Sequence, residues 1–293
     1  MSKHVADMRL VVPVIIAMSL TLVPFAVSTP ADVGGGHPDC NPNLALENDQ
    51  VKIWFQGHKG HIKVFDNNES TNSTGHYTYN TGSVDELDAD GNVIASLDLG
   101  RAYPHTSSCT IEETEEFVNV TFTVTEDVQA DHDVVGQATV TIDYNFNKSA
   151  NGAKFDLLVE DWPWQGDGTL GYAFEVKAAG YTIEDAENGL GFRDEDGNSA
   201  GYIEWAPNAT AYYDDGHNET ALVDSTVDND GTEADVFLEF TNVTAGYNEL
   251  VYDPWVGVGD YIIVLGILIG LAPVEQNLPA ALRPLYDVVS AVL

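Results

Sequence analysis

The chain has 293 residues, of which 44% are hydrophobic, so it can bury a large core and does not have the composition of a disordered chain. Its 47 Asp and Glu residues far outnumber its 11 Lys and Arg residues, and the formal net charge is −36. This charge argues against binding to nucleic acid or to anionic lipid headgroups. It favours either work in high salt, where charges are screened, or the binding of many divalent cations.

Residues 1–31 predict a secretory signal peptide. A short basic start is followed by an uncharged apolar run over residues 10–27, and small residues then offer sites for signal peptidase. The run is long enough to act as an uncleaved anchor as well, but Pro13 and Pro24 favour cleavage. Export would place the protein at the extracellular face of the membrane or in the cell envelope.

The chain has two cysteines, Cys40 and Cys109. Because disulfides persist in exported proteins, we expect these two residues to be bonded to each other. The bond would close a loop of about 70 residues and stabilise the fold by roughly 4 kcal/mol.

Residues 32–50 are rich in Gly, Pro and Asn and predict a linker. Residues 51–253 then predict a β domain, and the clearest pattern lies in residues 118–125. There Val and Phe alternate with Asn and Thr, which is the period-two pattern of a strand with one buried face and one wet face. Residues 138–146 repeat this pattern. A third strand is predicted from Phe155, which leads into Trp162-Pro163-Trp164.

Short apolar runs separated by turn signals fill the rest of this region. Further strands are predicted at residues 51–55, 61–65, 93–99, 170–178, 201–205, 211–213, 221–223, 236–240 and 249–252. The turns pair a short acid or Asn with Gly, at Gly91, Gly152, Gly168, Gly189, Gly197, Gly216 and Gly231. The pattern predicts an all-β, antiparallel β-sandwich ectodomain, built as one large domain or as two in tandem with a boundary near residues 117–133.

The C-terminal region has a different pattern. Residues 256–274 predict an apolar helix that anchors the protein in the membrane, since nineteen residues cover roughly 28 Å. Asp260 shortens the uncharged part to residues 261–272, so a buried or re-entrant helix is the alternative. Gly266 and Gly270 have the spacing by which two membrane helices pair, and residues 275–293 form a short tail.

Seven Asn-x-Ser/Thr sequences predict N-glycosylation of an exported chain. Any one of them is weak on its own, but they lie in predicted loops or on the wet face of a strand. The alternative is a polar β surface without sugar. The acceptors are Asn68, Asn72, Asn119, Asn147, Asn208, Asn218 and Asn242.

Two acidic stretches before Gly resemble the start of a calcium loop. They contain Glu86, Asp88 and Asp90 in one case and Asp194 and Asp196 in the other. Both fail the EF-hand pattern, because position twelve is not Glu in the first and no helices flank them. They predict hairpin turns first and loose Ca²⁺ binding second, and no other cofactor is indicated.

No catalytic residues are predicted. Ser199 lies in a G-x-S-x-G sequence, but that motif needs a strand-to-helix turn in an α/β sheet, and here a hairpin turn precedes it. His58 and His61 are too few for a zinc site. The five Trp residues could pack in the core or stack on sugars.

Taken together, the export signal, the acidic surface, the many glycosylation acceptors and the apolar C-terminus resemble haloarchaeal secreted or cell-surface glycoproteins. The chain departs from that class, whose members usually contain more Arg than Lys, in having seven Lys and four Arg residues. The resemblance implies a structural, adhesive or binding role, with self-association or with surface proteins and glycans as partners. The alternative is a secreted carbohydrate-active protein, either a glycoside hydrolase with two facing carboxylates or a sugar-binding module.

Overall fold

The computed structural model describes residues 44–56, 60–67, 75–101 and 107–259, and within them the fold is almost entirely antiparallel β-sheet. One three-residue 3-10 turn, Leu99–Arg101, is the only helical element in these ranges. The strands are β1 Ala45–Glu47, β2 Val51–Gln56, β3 His61–Asp66, β4 His76–Leu87, β5 Val93–Asp98, β6 Ser107–Glu113, β7 Phe117–Ala130, β8 Asp133–Asn147, β9 Gly152–Glu160, β10 Thr169–Ala179, β11 Thr182–Ala186, β12 Gly189–Arg193, β13 Ser199–Glu204, β14 Asn208–Tyr212, β15 Asn218–Asn229, β16 Glu233–Thr241, β17 Glu249–Tyr252 and β18 Trp255–Gly257.

Ten of these strands form a closed ring rather than the two separate sheets of the predicted sandwich. Hydrogen bonding runs in the order β4, β10, β16, β15, β14, β17, β9, β8, β7 and β5, and β5 pairs with β4 again. Closure depends on short contacts between distant segments, such as Ser96 of β5 opposite Gln129 of β7. Strands β3, β2 and β1 extend the sheet from β4, β6 lies beside β7, and β18, β13, β12 and β11 extend it from β9.

The β7–β8 hairpin confirms the strongest sequence prediction. Val118, Val120 and Phe122 of β7 are at most 2% exposed, while the residues between them face outward. The same alternation holds along β8 and β9. Strand β7 runs through the proposed domain boundary at residues 117–133, and one buried cluster contains residues from both sides of it.

Aromatic side chains fill the interior, and several of the tyrosine hydroxyls among them are hydrogen-bonded. The Tyr79 and Tyr172 hydroxyls bond each other, and the Tyr144 hydroxyl donates to the carbonyl of Gly60 at 2.5 Å. The Tyr77 ring stacks on Phe192 at 4.0 Å between centroids. Burial raises the pKa of Tyr77, Tyr79 and Tyr144 well above the usual value. The described interior of the ring is therefore a packed aromatic and aliphatic core.

The two predicted domain ends differ from the structure. Strand β1 lies inside the predicted linker 32–50, and Leu44 and Leu46 are buried, so the folded domain includes residues before 51. At the other end, Val256 and Gly257 belong to β18, which pairs with β9 and β13, and not to a helix. Residues 260–274 of the predicted anchor, including Gly266 and Gly270, lie outside the described residues. Within the described ranges, no helix has the length and hydropathy that a membrane crossing requires.

Candidate binding surfaces

The outer face of the β7–β8 hairpin carries a continuous row of polar side chains, here called the polar ladder. Its members face each other across the two strands in register and bond to each other. The pairs are Asn119–Asn145 at 2.9 Å, Thr121–Asp143 at 2.8 Å, Thr123–Thr141 at 3.2 Å, Thr125–Thr139 at 2.9 Å and Asp127–Gln137 at 3.0 Å. Because these side chains hold each other in place, the face is polar and ordered without being a cavity.

Five of the predicted glycosylation acceptors lie in the described part of the chain, and none of them is buried. Asn208, Asn218 and Asn242 are exposed, and Asn119 and Asn147 are half-buried on the surface. Asn145 donates to the Oδ1 of Asn119, whereas a glycan would be attached at Nδ2. Asn68 and Asn72 lie outside the described residues. Burial therefore excludes none of the five described positions from modification.

The first candidate calcium stretch does not bring its acids together. Asp88 closes the β4–β5 hairpin by accepting hydrogen bonds from the backbone N–H groups of Asp90 and Asn92, each at 2.9 Å. These bonds lower its pKa. Glu86 points to the other side, where it is fully buried and bonded to protein donors. The residues form a turn, as the first of the two sequence interpretations held.

The second candidate stretch forms the same turn. Asp194 accepts from the side-chain amide of Asn198 at 3.0 Å and from the backbone N–H groups of Asn198 at 2.8 Å and Asp196 at 3.0 Å, and these bonds lower the pKa of Asp194. Both turns have the sequence Asp-x-Asp-Gly-Asn, and both place Gly at a positive φ, +80° for Gly91 and +81° for Gly197. Calcium binding by either loop stays a prediction.

A third acidic group, which the sequence did not single out, lies on the outer face of β10 and β16. Carboxylate oxygens of Glu175, Glu233 and Asp235 approach within 4.8 Å of one another. The Lys177 ammonium lies 2.8 Å from Glu175 and 3.4 Å from Glu233, so a cation already neutralises part of this charge. The cluster is a surface ion-pair network, and nothing beyond its acidity points to a metal.

Glu86 is a buried carboxylate with an unusual set of partners. Its Oε2 accepts from the indole N–H of Trp162 at 3.0 Å, and its two oxygens accept from the backbone N–H groups of Gln165 and Gly166. These donors belong to the loop between β9 and β10, which lies across one end of the closed ring. We call this arrangement the Glu86 clasp. Nothing in the sequence distinguished this acid from those in the turns.

The five Trp residues divide between core and surface. Trp162 and Trp205 are buried at 5% and 2% exposure, so they pack in the core. Trp54, Trp164 and Trp255 are half-buried, and the Trp164 indole donates to the carbonyl of Tyr247 at 3.0 Å. The Trp162-Pro163-Trp164 segment thus serves mainly to cover one end of the closed ring of strands. The Trp side chains at these positions do not form a row of exposed aromatic rings.

Glu204, at the end of β13, is a half-buried carboxyl group with an altered pKa. Its Oε2 is buried without a hydrogen-bond partner, and burial raises the pKa of this carboxyl from 4.5 to about 7. The indole N–H of the neighbouring Trp205 also lacks a partner. A carboxyl group with such a pKa can exchange a proton near neutral pH, as a general acid does.

The residues of the other motifs are not assembled into a site. Ser199 begins strand β13, and its hydroxyl donates to the carbonyl of Gly259 at 2.8 Å, as expected for a structural residue. His217 stacks on Tyr213 in an exposed hairpin turn. Cys109 is buried in β6, and Cys40 and His58 lie outside the described residues, so the disulfide stays a prediction.

Two hollows lined by described residues are open to solvent. One of about 570 Å³ lies beside Glu219 and Asn242, and another of about 380 Å³ lies on the outer face of β10, β15 and β16. Neither contains a pair of buried carboxylates or a row of exposed aromatic rings. The described chemistry is therefore distributed over open sheet faces.

No protein-family model matches the chain, and no curated protein sequence resembles it.

Proposed function

We propose that the protein is an exported, N-glycosylated ectodomain at the cell envelope with a structural, adhesive or binding role. The observation that carries the proposal is the contrast between a sealed interior and an ordered, polar exterior. Core aromatics fill the ring, while the polar ladder and the accessible Asn acceptors lie outside. A domain of this kind acts through its faces, and its acidic surface suits a salty or cation-rich exterior.

Glycopeptide mapping of the protein isolated from the envelope fraction of its own cells tests this proposal. We expect a mature chain that starts after the signal region and carries glycans at Asn119, Asn208, Asn218 or Asn242. Asn145 is a matched control, because it lies opposite Asn119 but is followed by Phe146 and Asn147 and has no acceptor sequence. A chain that keeps its first residues, remains in the cytosol and carries no glycan would refute the proposal.

Attachment to the membrane is proposed for the apolar residues that follow Gly259. Strand β18 must stay with the domain, because Val256 is fully buried between β9 and β13. We therefore expect a chain that ends at Gly259 to be folded and released into the medium, while the full chain stays with membranes after a carbonate wash. Release of the full chain by that wash would show that this region instead packs on the domain or on a partner.

A secreted carbohydrate-active protein is the second candidate, and Glu204 is the observation that favours it. A carboxyl with a pKa of about 7 is suited to protonate a leaving sugar. The purified protein is incubated with a panel of envelope polysaccharides. Hydrolysis that is abolished by Glu204→Gln and unchanged by Glu112→Gln, at an exposed residue of β6, would establish the enzyme. Equal activity in both variants would assign Glu204 a structural role.

A further inference from the structure

Strand β15 has an edge that no described strand pairs with between Asp224 and Asp228. Its first half pairs with β14, up to Leu222 opposite Asn208, and its other side pairs with β16 from Leu222 to Asn229. Beyond Val223, whose N–H donates to the carbonyl of Pro207 at 3.0 Å, no described strand pairs with the β14 side of β15. Residues 224–226 and Asp228 are exposed.

The direction of the backbone groups on this edge follows from the register. Val223 turns its N–H toward Pro207 and hence away from β16, and alternate residues of a strand point to the same side. Ser225 and Val227 therefore also direct their N–H and C=O groups away from β16. None of these four groups has a described hydrogen-bond partner, so the edge offers the pattern that an added strand would bond.

Strand β11 bounds this opening without closing it. Its contact with β15 is made by the side chain of Asn229, which donates to the carbonyl of Ile183 at 3.3 Å and to the carboxylate of Asp185 at 2.8 Å. The N–H of Ile183 bonds to Gly231 in the β15–β16 turn at 2.8 Å. In the described part of the chain, β11 and β15 are joined only near this turn and form no ladder.

The charges around the edge favour a strand with basic side chains over a second copy of β15. Asp224 and Asp228 project from β15 on the outer face, and Asp235 lies opposite Asp228 on β16. The neighbouring bases are already engaged, since Lys177 bonds Glu175 and Glu233, and Arg193 bonds Glu184. A second copy of β15 would bring the same acids opposite each other, which is unfavourable. A strand with basic side chains at alternate positions would place them beside these carboxylates.

We infer that the edge formed by residues 223–229 of β15 binds an extended segment of a partner protein by strand addition, with Lys or Arg at alternate positions of that segment. The inference deepens the proposed binding role and rests on it, but it does not depend on glycosylation or on membrane attachment. Main-chain hydrogen bonds to Ser225 and Val227 supply the register, and Asp224 and Asp228 supply the preference for basic side chains.

The test measures binding of a short peptide that alternates lysine with threonine and valine to the full, purified protein. Two further peptides serve as probes, one with glutamate in place of lysine and one with methylated backbone nitrogens on its bonding side. Titration calorimetry is carried out at the lowest salt concentration at which circular dichroism shows a folded protein. We expect saturable binding of the lysine peptide alone, weakened by added salt.

Matched variants separate the backbone from the charges. Ser225→Pro removes the edge N–H, and because that N–H faces away from β16, the native pairs are retained. It should weaken binding about tenfold or more, which corresponds to one lost hydrogen bond, whereas Ser225→Ala should leave it unchanged. Asp224→Asn with Asp228→Asn should weaken binding and reduce its salt dependence. Equal binding of the methylated peptide, or unchanged binding by Ser225→Pro, would overturn strand addition.

Two other results would also overturn the inference. If no peptide binds a protein that is shown to be at the cell surface, the edge is not the binding site, although the proposed function stands. Self-association in sedimentation runs that Ser225→Pro abolishes would identify a second copy as the occupant and refute the basic partner.

Discussion

Replacing Glu86 by glutamine should destabilise the protein strongly, although the two side chains have almost the same shape. The carboxylate accepts from the Trp162 indole at 3.0 Å and from the backbone N–H of Gly166 at 2.7 Å, and the N–H of Gln165 lies 3.0 Å from both oxygens. Glutamine keeps one acceptor oxygen and turns an NH₂ group toward the remaining donors. At least one donor is then left buried and unsatisfied.

The magnitude follows from the kind of bond that is lost. A hydrogen bond to a charged group contributes about 1.5–3 kcal/mol, and a buried unsatisfied donor costs about 1–3 kcal/mol. Part of this loss is offset, because glutamine is neutral and does not carry the desolvation cost of the fully buried Glu86 carboxylate. We therefore expect the free energy of unfolding to fall by about 2 kcal/mol, which is a large share of the roughly 5–15 kcal/mol of a typical domain.

Urea unfolding followed by tryptophan fluorescence and by circular dichroism measures this loss. Trp162→Phe removes the indole donor together with part of a buried ring, so its own cost includes a loss of packing. The double variant should be less than additive, because the two residues share one interaction. Glu112→Gln on exposed β6 is the control and should change the free energy of unfolding by less than about 0.5 kcal/mol. A Glu86→Gln protein as stable as this control would show that the clasp does not hold the loop.

Three further predictions concern pH, salt and the cysteines. Because burial raises the pKa of Glu204, the folded protein holds the carboxyl proton more tightly than the unfolded chain, so stability should fall as the pH rises from 4.5 to 7. Glu204→Gln should remove this contribution to the pH dependence of stability. In thermal melts at pH 8 it should add about 1 kcal/mol, after allowance for solvent screening. Given the net charge of −36, the melting temperature should drop when molar salt is replaced by millimolar salt with EDTA, and equal values would contradict this. Thiol labelling of the unreduced protein should leave Cys40 and Cys109 unmodified, whereas labelling of both would show that they are not bonded.

Most of the strands that the sequence predicted have apolar inward positions. Strand β7 is the clearest case, because Val and Phe fill its buried face. Strand β4 was missed, since its inward positions include Tyr77, Tyr79 and Thr81, and the buried Glu86 follows near its end. Tyrosine and threonine are as common on wet faces, and only the completed core shows that their hydroxyls find partners.

The turn glycines show a second limit of sequence reasoning. Gly91 and Gly197 adopt the positive φ that the Asp-Gly pairs predicted. Gly152 and Gly189, which follow Asn, are needed for a different reason, since a Cβ there would lie 2.3 Å and 2.2 Å from a backbone oxygen of a neighbouring strand. Such close approaches depend on which strands become neighbours. For the same reason, ring closure, the Glu86 clasp and the free edge of β15 could not be predicted from local patterns.

The position of β18 also decides how the molecule would bear a mechanical load. The chain continues beyond Gly259 from a strand that is bonded on both sides, to β9 and to β13. Tension applied there must break two ladders at once before the strand can leave. With Cys40 and Cys109 reduced, tension applied at the other end would meet β1, for which β2 is the only partner among the described strands and which can peel away bond by bond. A reduced domain held through its C-terminal side would therefore yield from its free end first and keep its attachment longest.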